Sequence, residues 1–103
     1  MQVLKRSGER QAFSREKLVM GMASAAKGRP IAQERFEALA DEIEDAARGE
    51  GAVVSSEWVG LAVLERLRRV DTVACLRFAS VYKDFDDVGD FERELSLIKI
   101  ENP

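Results

Sequence analysis

The hydrophobic and polar positions at the start of the chain predict a hairpin followed by a helix. Residues 2–6 and 10–13 mix apolar and polar side chains on either side of Gly8, which supplies the freedom that a tight turn needs. Ser14 then offers an N-cap hydroxyl, and the helix that begins there ends before Pro30. The first third of the chain is therefore expected to be two short strands and one helix.

The middle of the chain carries the clearest helical pattern. One helix repeats apolar positions at three and four residue steps, with charges on the opposite face, and it ends at residues 49–51. Residues 52–55 predict a third strand, and Ser56 is placed to cap a helix that runs to Val70. The apolar faces consist of Phe36, Leu39, Ala40, Ile43, Ala46 and Ala47 in the first helix and of Trp58, Leu61, Leu64 and Leu67 in the second.

Two further helices are predicted after a cap at Asp71 or Thr72. Residues 73–85 have apolar side chains around most of the circumference, which predicts a central and largely buried helix. The last helix, over about residues 88–98, is expected to pack outward and is a candidate oligomerisation element. Its apolar positions are Phe91, Leu95 and Ile98.

This order of elements predicts an α+β fold. A small three-stranded β element, the hairpin plus one strand, is expected to pack on a bundle of four to five helices. Internal repeats, low-complexity runs and proline-rich linkers are absent from the sequence. Residues 1–103 are therefore expected to form a single domain.

Composition narrows the classes of function. Histidine is absent and Cys75 is the only cysteine, which excludes an internal disulfide, disfavours a zinc site and removes the commonest general base. The chain lacks an apolar stretch of the ~18 residues that a membrane span needs, and its N-terminus is charged where a signal peptide is apolar. We expect a cytoplasmic protein with no membrane partner, no metal site and no enzymatic activity.

Positive charge is concentrated at the N-terminus. The first 17 residues hold five basic and two acidic side chains, although the whole chain has a net charge of -3. Lys5, Arg6 and Lys17 gather near a helix N-terminus, which favours phosphate binding, although charge alone also allows a solubilising surface. Neither G-x-x-x-x-G-K-[ST] nor G-x-G-x-x-G occurs, so a nucleotide site must be of another kind.

The same segment resembles a known domain family. V-x-K-R-x-G at residues 3–8, followed by F-S-R-E-K-L at residues 13–18, resembles the opening of an ATP-cone, the nucleotide-sensing module of many ribonucleotide reductases. L-R-F-A-S-V-Y-K at residues 76–83, then Phe85 and F-E-R-E-L at residues 91–95, is similar to the bacterial transcriptional repressors of ribonucleotide reductase genes.

The resemblance implies that ATP or dATP binds between the hairpin and the helices, with any Mg²⁺ arriving on the phosphates. Lys5, Arg6 and Lys17 would hold the phosphates, and Val3 would lie against the base. Tyr82 would face the same pocket, where it offers a flat apolar face and a hydroxyl. Judged without the family, Tyr82 is equally an ordinary core aromatic.

Four further positions bear on this expectation. Ser55 matches a hydroxyl residue near the site in related cones, and Gln11 stands where the family commonly has a glutamate. Cys75 stands where the repressors often have tyrosine, and we expect Gln11 and Cys75 near the pocket, Cys75 as a small buried residue rather than a redox switch. Trp58 is either a core residue or part of a self-association surface.

An acidic cluster precedes the last helix. It fails the spacing of an EF-hand because Val88 and Leu95 stand where ligands are required, so we interpret its members as turn and helix-capping acids. The cluster consists of Asp84, Asp86, Asp87 and Asp90.

The leading functional hypothesis is an allosteric sensor. ATP or dATP would change how the cones associate in a homo-oligomer, and that change would control DNA binding. The repressors carry a four-cysteine zinc ribbon before the cone, so zinc and DNA are expected only through a ribbon absent from this chain. The alternatives are a free-standing cone, the cone of a reductase, or a plain helical dimerisation module.

Overall fold

The computed structural model describes residues 1–83 and 85–101, and three strands and five helices follow one another there in the predicted order. The elements are β1 (Gln2–Leu4), β2 (Arg10–Ala12), α1 (Arg15–Ala25), α2 (Gln33–Glu50), β3 (Val53–Ser55), α3 (Ser56–Val70), α4 (Thr72–Tyr82) and α5 (Val88–Glu101). The predicted α+β class is confirmed, and so is a hairpin plus one strand packed on a helical bundle.

β1 lies at the centre of a sheet in the order β2-β1-β3. It pairs antiparallel with β2 and parallel with β3. In the hairpin turn the Lys5 N–H donates to the Glu9 carbonyl oxygen at 2.8 Å, and Gly8 takes a φ of +90°, which glycine adopts without strain. Because parallel strands share the edge at which they end, the hairpin turn lies beside the start of α3.

Two of the predicted helix caps are confirmed. Ser14 Oγ accepts the backbone N–H of Lys17 at 3.2 Å at the start of α1. At the start of α4, Asp71 Oδ1 accepts the N–H of Ala74 at 2.9 Å. Burial alone would raise the pKa of the Asp71 carboxyl, but the Ala74 N–H and the Arg29 guanidinium outweigh it and hold that pKa below its usual value.

The cap of α3 lies one residue before the predicted position. Ser55, rather than Ser56, keeps an extended backbone, and its Oγ accepts the N–H of Trp58 at 3.0 Å. The prediction is wrong because Ser55 is also the last residue of β3, where it pairs with Leu4. The strand therefore passes into the helix without a loop.

The core lies between the helices and beneath β3. The predicted apolar face of α2 is buried, except that Ala46 is half-buried. In α3 the prediction is wrong for Leu61, which is 58% exposed, because the buried face of that helix includes Ala62 and Val63 instead. The largest fully buried side chains are those of Met22, Ile43, Val63 and Leu67.

α4 packs against α1, α3 and α5, as expected of a central helix, but it is shorter and less buried than predicted. It ends at Tyr82, and Val81 is 83% exposed. Its buried residues, Ala74, Cys75 and Ala79, are small, which allows the neighbouring helices to approach closely. Phe85 lies beyond the helix and meets the ring of Phe91 edge-on, with the ring centroids 4.9 Å apart.

α5 buries only part of its predicted apolar face. Ile98 is buried, whereas Phe91 and Leu95 are 40% and 39% exposed. Glu94, one turn before Ile98 on the same face, is buried as well, and its Oε1 lies 2.7 Å from Lys83 Nζ. Among the described residues, no helix has both the length and the apolar character needed to cross a membrane.

The acidic cluster caps α5, as predicted, for the members that the structure describes. Asp90 Oδ2 accepts the backbone N–H groups of Asp86 and Asp87 at 2.8 and 3.3 Å, and these bonds lower the pKa of the Asp90 carboxyl. Asp87 Oδ1 accepts the N–H of Asp90 at 3.1 Å. Asp84 lies outside the described residues.

Candidate nucleotide site

The hairpin turn reaches the first turn of α3. Arg6 Nε lies 3.5 Å from Glu57 Oε1, and both side chains are more than half exposed. An ion pair in such a position contributes ~0–1 kcal/mol, so it orients Arg6 without holding it firmly. The guanidinium therefore remains accessible to a stronger anionic partner.

Tyr82 is held by the same turn of α3. Its hydroxyl donates to the backbone carbonyl oxygen of Glu57 at 3.1 Å, and its ring lies directly against Gly60. The ring also stacks on Phe78, with centroids 6.3 Å apart and planes 26° from parallel. These contacts hold the ring in place, and because Tyr82 is only half-buried, part of its surface stays accessible.

Contacts between α1 and α4 indicate how the two helices run relative to each other. Arg77 Nη1 donates to the Lys27 carbonyl oxygen at 2.8 Å, and a Cβ on Gly21 would lie 3.7 Å from the ring of Phe78. The two helices are therefore antiparallel. Lys17 lies one turn before Gly21 on α1, toward the start of that helix.

A cavity of about 450 Å³ lies between α1 and α4. Its apolar wall includes Ala25, Phe78, Val81 and Tyr82. Small-molecule sites commonly enclose ~300–1,000 Å³ and are lined mostly by apolar groups. Tyr82 is the only predicted site residue that lines this cavity, so the cavity adjoins the expected nucleotide site and does not contain its cations.

The inner face of the hairpin is partly open. Val3 pairs directly with Gln11 on β2 and with Val54 on β3, so the three side chains project from the same face of the sheet. Val54 is 4% exposed, which shows that this face is turned toward the helices. Val3 and Gln11 are only half-buried, so the hairpin covers the helices less closely than β3 does.

The structure brings some of the predicted site residues together and leaves others apart. Arg6 and Tyr82 each contact Glu57 in the first turn of α3, and Ser55 Oγ caps that same turn. The side chains of Lys5 and Lys17 are exposed, and no ion pair to either is found within residues 1–83 and 85–101. No hydrogen bond within that part of the chain links Lys5 or Lys17 to the other predicted site residues.

Cys75 lies away from this groove, two helical turns from Tyr82. Its Sγ donates to the Leu64 carbonyl oxygen at 3.5 Å, and burial, followed by the Glu94 carboxylate, raises the pKa of the thiol to about 11. It lines a different cavity, of about 460 Å³, between α3, α4 and α5. The prediction of a small buried residue is confirmed, and any effect of Cys75 on the groove must pass through packing.

Two residues of the site were missed by the sequence interpretation. Glu57 contacts Arg6 with its side chain and Tyr82 with its backbone, and nothing in the sequence indicated this, because the contacts depend on how the hairpin folds back. Gly60 had a signal: it interrupts an apolar helical run, where glycine costs ~1 kcal/mol relative to alanine. In the described part of the chain, no cluster of three or more acidic, cysteine or histidine side chains that could hold a metal ion is found.

Comparison with known proteins agrees with the sequence resemblance. A family model described as "ATP cone domain" matches residues 1–88. The relatives include the transcriptional repressor NrdR of a Nocardioides species, 48% identical over 102 residues, which are 98% of this chain and 59% of the relative. The repressors of the same name from Rhodococcus erythropolis and Saccharopolyspora erythraea are 50% and 48% identical over 93% and 96% of this chain. The chain spans only 59% and 53% of these two relatives, both of which are named transcriptional repressors.

Proposed function

The chain belongs to the ATP cone family, and we propose that it senses ATP or dATP within a transcriptional repressor of ribonucleotide reductase genes. The observation that carries this proposal is the set of accessible cations, Lys5, Arg6 and Lys17, around a half-open hairpin and the fixed ring of Tyr82. Two of these cations, Lys5 and Lys17, have no ion pair within the described residues, and Arg6 has only an exposed one with Glu57. Such a set of cations suits a ligand that carries a phosphate chain.

The described residues fit such a ligand. Three cations offset most of the charge of a triphosphate, and the Arg6 guanidinium can bind phosphate oxygens in pairs. Lys17 lies in the first turn of α1, where the helix dipole also favours an anion. Mg²⁺ would be carried by the phosphates, since the described acidic side chains form no site for it.

We assign the base to the space between the hairpin and α4. Val3 provides an apolar surface, and the ring of Tyr82 provides a flat one. Gln11 beside Val3 offers an amide, which both donates and accepts hydrogen bonds, where a glutamate would only accept. The hydroxyl of Ser55 retains a proton that it can donate to the ligand.

The output of the sensor is a change in self-association. Tyr82 is followed directly by Lys83, which holds Glu94 of α5, so a ligand at Tyr82 acts next to the attachment of that helix. α5 exposes Val88, Phe91 and Leu95, and we assign the contact between copies to this surface. Coupling of ~1–3 kcal/mol would suffice. We assign DNA binding and zinc to the zinc ribbon that the family resemblance implies, and not to residues 1–103.

The test is to titrate the purified chain with ATP and dATP by calorimetry and to measure its mass in each state by light scattering. We expect saturable binding below millimolar nucleotide and a different mass when nucleotide is bound. An absence of binding at millimolar nucleotide would overturn the proposal. Binding with an unchanged mass would overturn its oligomerisation half.

Replacing Lys17 with alanine locates the site. Because Lys17 is exposed and unpaired within the described chain, Lys17→Ala should weaken ATP binding by about tenfold, or ~1.4 kcal/mol, with little change in stability. Lys27→Ala removes the same charge from the other end of α1 and serves as the matched control. Equal ATP affinity of the two variants would remove Lys17 from the site.

A further inference from the structure

Gly60 and Tyr82 meet more closely than any other glycine and side chain that the structure describes. A Cβ added at Gly60 would lie 2.7 Å from the Tyr82 hydroxyl oxygen and closer still to two ring carbons. The ring therefore occupies the space that any other side chain at position 60 would fill. Together with the bond from its hydroxyl to Glu57, this contact fixes the ring on one turn of α3.

The structure shows no other role for Gly60. Its backbone φ lies in the ordinary helical range, so no turn requires it, and glycine weakens a helix relative to alanine. Gly21, on α1, differs because a Cβ there would meet Phe78 at an ordinary distance of 3.7 Å. Only at Gly60 does the absence of a side chain admit an aromatic ring.

We infer that Gly60 is a positioning residue for the nucleotide base, because its lack of a side chain leaves the space that the ring of Tyr82 occupies. The inference rests on the proposed function, since it concerns the ring that we assign to the base. A side chain at position 60 displaces the far end of Tyr82, which can move without disturbing either backbone. Adenine would then lose its stacking surface while the phosphates keep their cations.

The experiment compares Gly60→Ala with Gly49→Ala, a matched control in α2 at which an added Cβ meets nothing within 4 Å. We expect Gly60→Ala to weaken ATP binding by about tenfold. Binding of inorganic tripolyphosphate should change less than twofold. Because Tyr82 is the only tyrosine, its ring signals in NMR spectra report the displacement directly.

A double-mutant cycle with Tyr82→Ala separates positioning from a general structural effect. Once the ring is absent, Gly60→Ala should cost no further ATP affinity, and if Gly60→Ala alone folds poorly, adding Tyr82→Ala should restore folding. Equal losses for ATP and tripolyphosphate, or the same loss without the ring, would overturn the inference. Unchanged ATP affinity of Gly60→Ala, with the Tyr82 ring signals shifted, would also overturn the inference. A wild-type chain that binds no ATP would instead overturn the proposed function.

Discussion

Two charged regions flank α4, and they differ in how their charges are satisfied. On the α5 side, Lys83 Nζ lies 2.7 Å from Glu94 Oε1, and the side chain of Glu94 is only 10% exposed. On the hairpin side, Lys5 and Lys17 are exposed, and no ion pair to them occurs within the described residues. The first pair holds two helices together, whereas the second group is available to an anion from outside.

The difference shows that charge type alone does not reveal a binding site. Both regions carry exposed or half-exposed lysine side chains, and on the α5 side Lys83 and Glu94 line a cavity of about 460 Å³. What separates them is whether the folded chain already supplies the opposite charge.

Glu94→Ala should have the largest effect on stability. It leaves the ammonium of Lys83, which is about one third exposed, without its partner and opens space in the α4–α5 contact. Loss of a buried partner costs ~3–5 kcal/mol, and the partial exposure of Lys83 reduces the expected loss to ~2–3 kcal/mol. The measurement is the free energy of unfolding in urea, with ATP affinity measured beside it.

Glu92→Ala is the control, because Glu92 is an exposed acid on the same helix and its replacement should change stability by less than ~0.5 kcal/mol. If Glu94→Ala proved as stable as Glu92→Ala, the Lys83–Glu94 pair would not hold the helix. Loss of ATP binding without loss of stability would contradict the separation of the two regions.

The sequence was a good guide where one rule decides the structure. Strict apolar spacing in α2 and the caps at Ser14 and Asp71 are local, so the predicted helices agree with the structure. The sequence did not predict the features that depend on tertiary contacts. Nothing in the sequence indicates that Glu94 is buried and paired with Lys83. This pair, together with the apolar residues of α5, determines which side of that helix faces the bundle.

The candidate site divides in the same way. Lys5, Arg6 and Lys17 were predicted from their charge beside a helix N-terminus and, with Tyr82, from the family resemblance, because both signals lie in short continuous stretches of sequence. Glu57 and Gly60 were not found, because the hairpin and α4 reach α3 from distant parts of the chain. Their roles follow from the register of three elements, which no single stretch of sequence contains.

Asp71 provides the intermediate effect, since it caps α4 and pairs with Arg29 at 2.9 Å. Its pKa is lowered in the folded chain, so the carboxylate stabilises the fold above its unfolded pKa of ~4, and that stability disappears as the pH falls through the lower folded value. Asp71→Asn should therefore cost ~1 kcal/mol at pH ~7, and the cost should shrink steadily as the pH is lowered below ~4. Thermal unfolding across this range measures the difference.

Asp45→Asn is the matched control for that pH series, because Asp45 is exposed and its pair with Arg48 is long, at 4.0 Å. Its unfolding curve should follow the wild type at every pH. An equal cost of Asp71→Asn at both ends of the range would show that the charge of Asp71 is not what stabilises the fold.

Glu57→Gln should have the smallest effect and is the most informative about the hairpin side. The carboxylate is the only partner of Arg6 among the described residues, and a phosphate must displace it. Because an exposed pair contributes at most ~1 kcal/mol, the variant should bind ATP up to about fivefold more tightly, with stability unchanged within ~0.5 kcal/mol. Tyr82 keeps its bond, which goes to the backbone of Glu57.

Glu65→Gln is the control for this variant, because Glu65 forms an exposed pair with Arg69 on the same helix, two turns farther from the hairpin. It should leave ATP affinity unchanged. Calorimetry at two salt concentrations adds a second measurement, since screening weakens the Arg6–Glu57 pair and should narrow the difference between Glu57→Gln and the wild type. Weaker ATP binding by Glu57→Gln would mean that Glu57 supports the ligand rather than competing with it. The hairpin side would then resemble the α5 side, because its cation would be held by a partner within the chain.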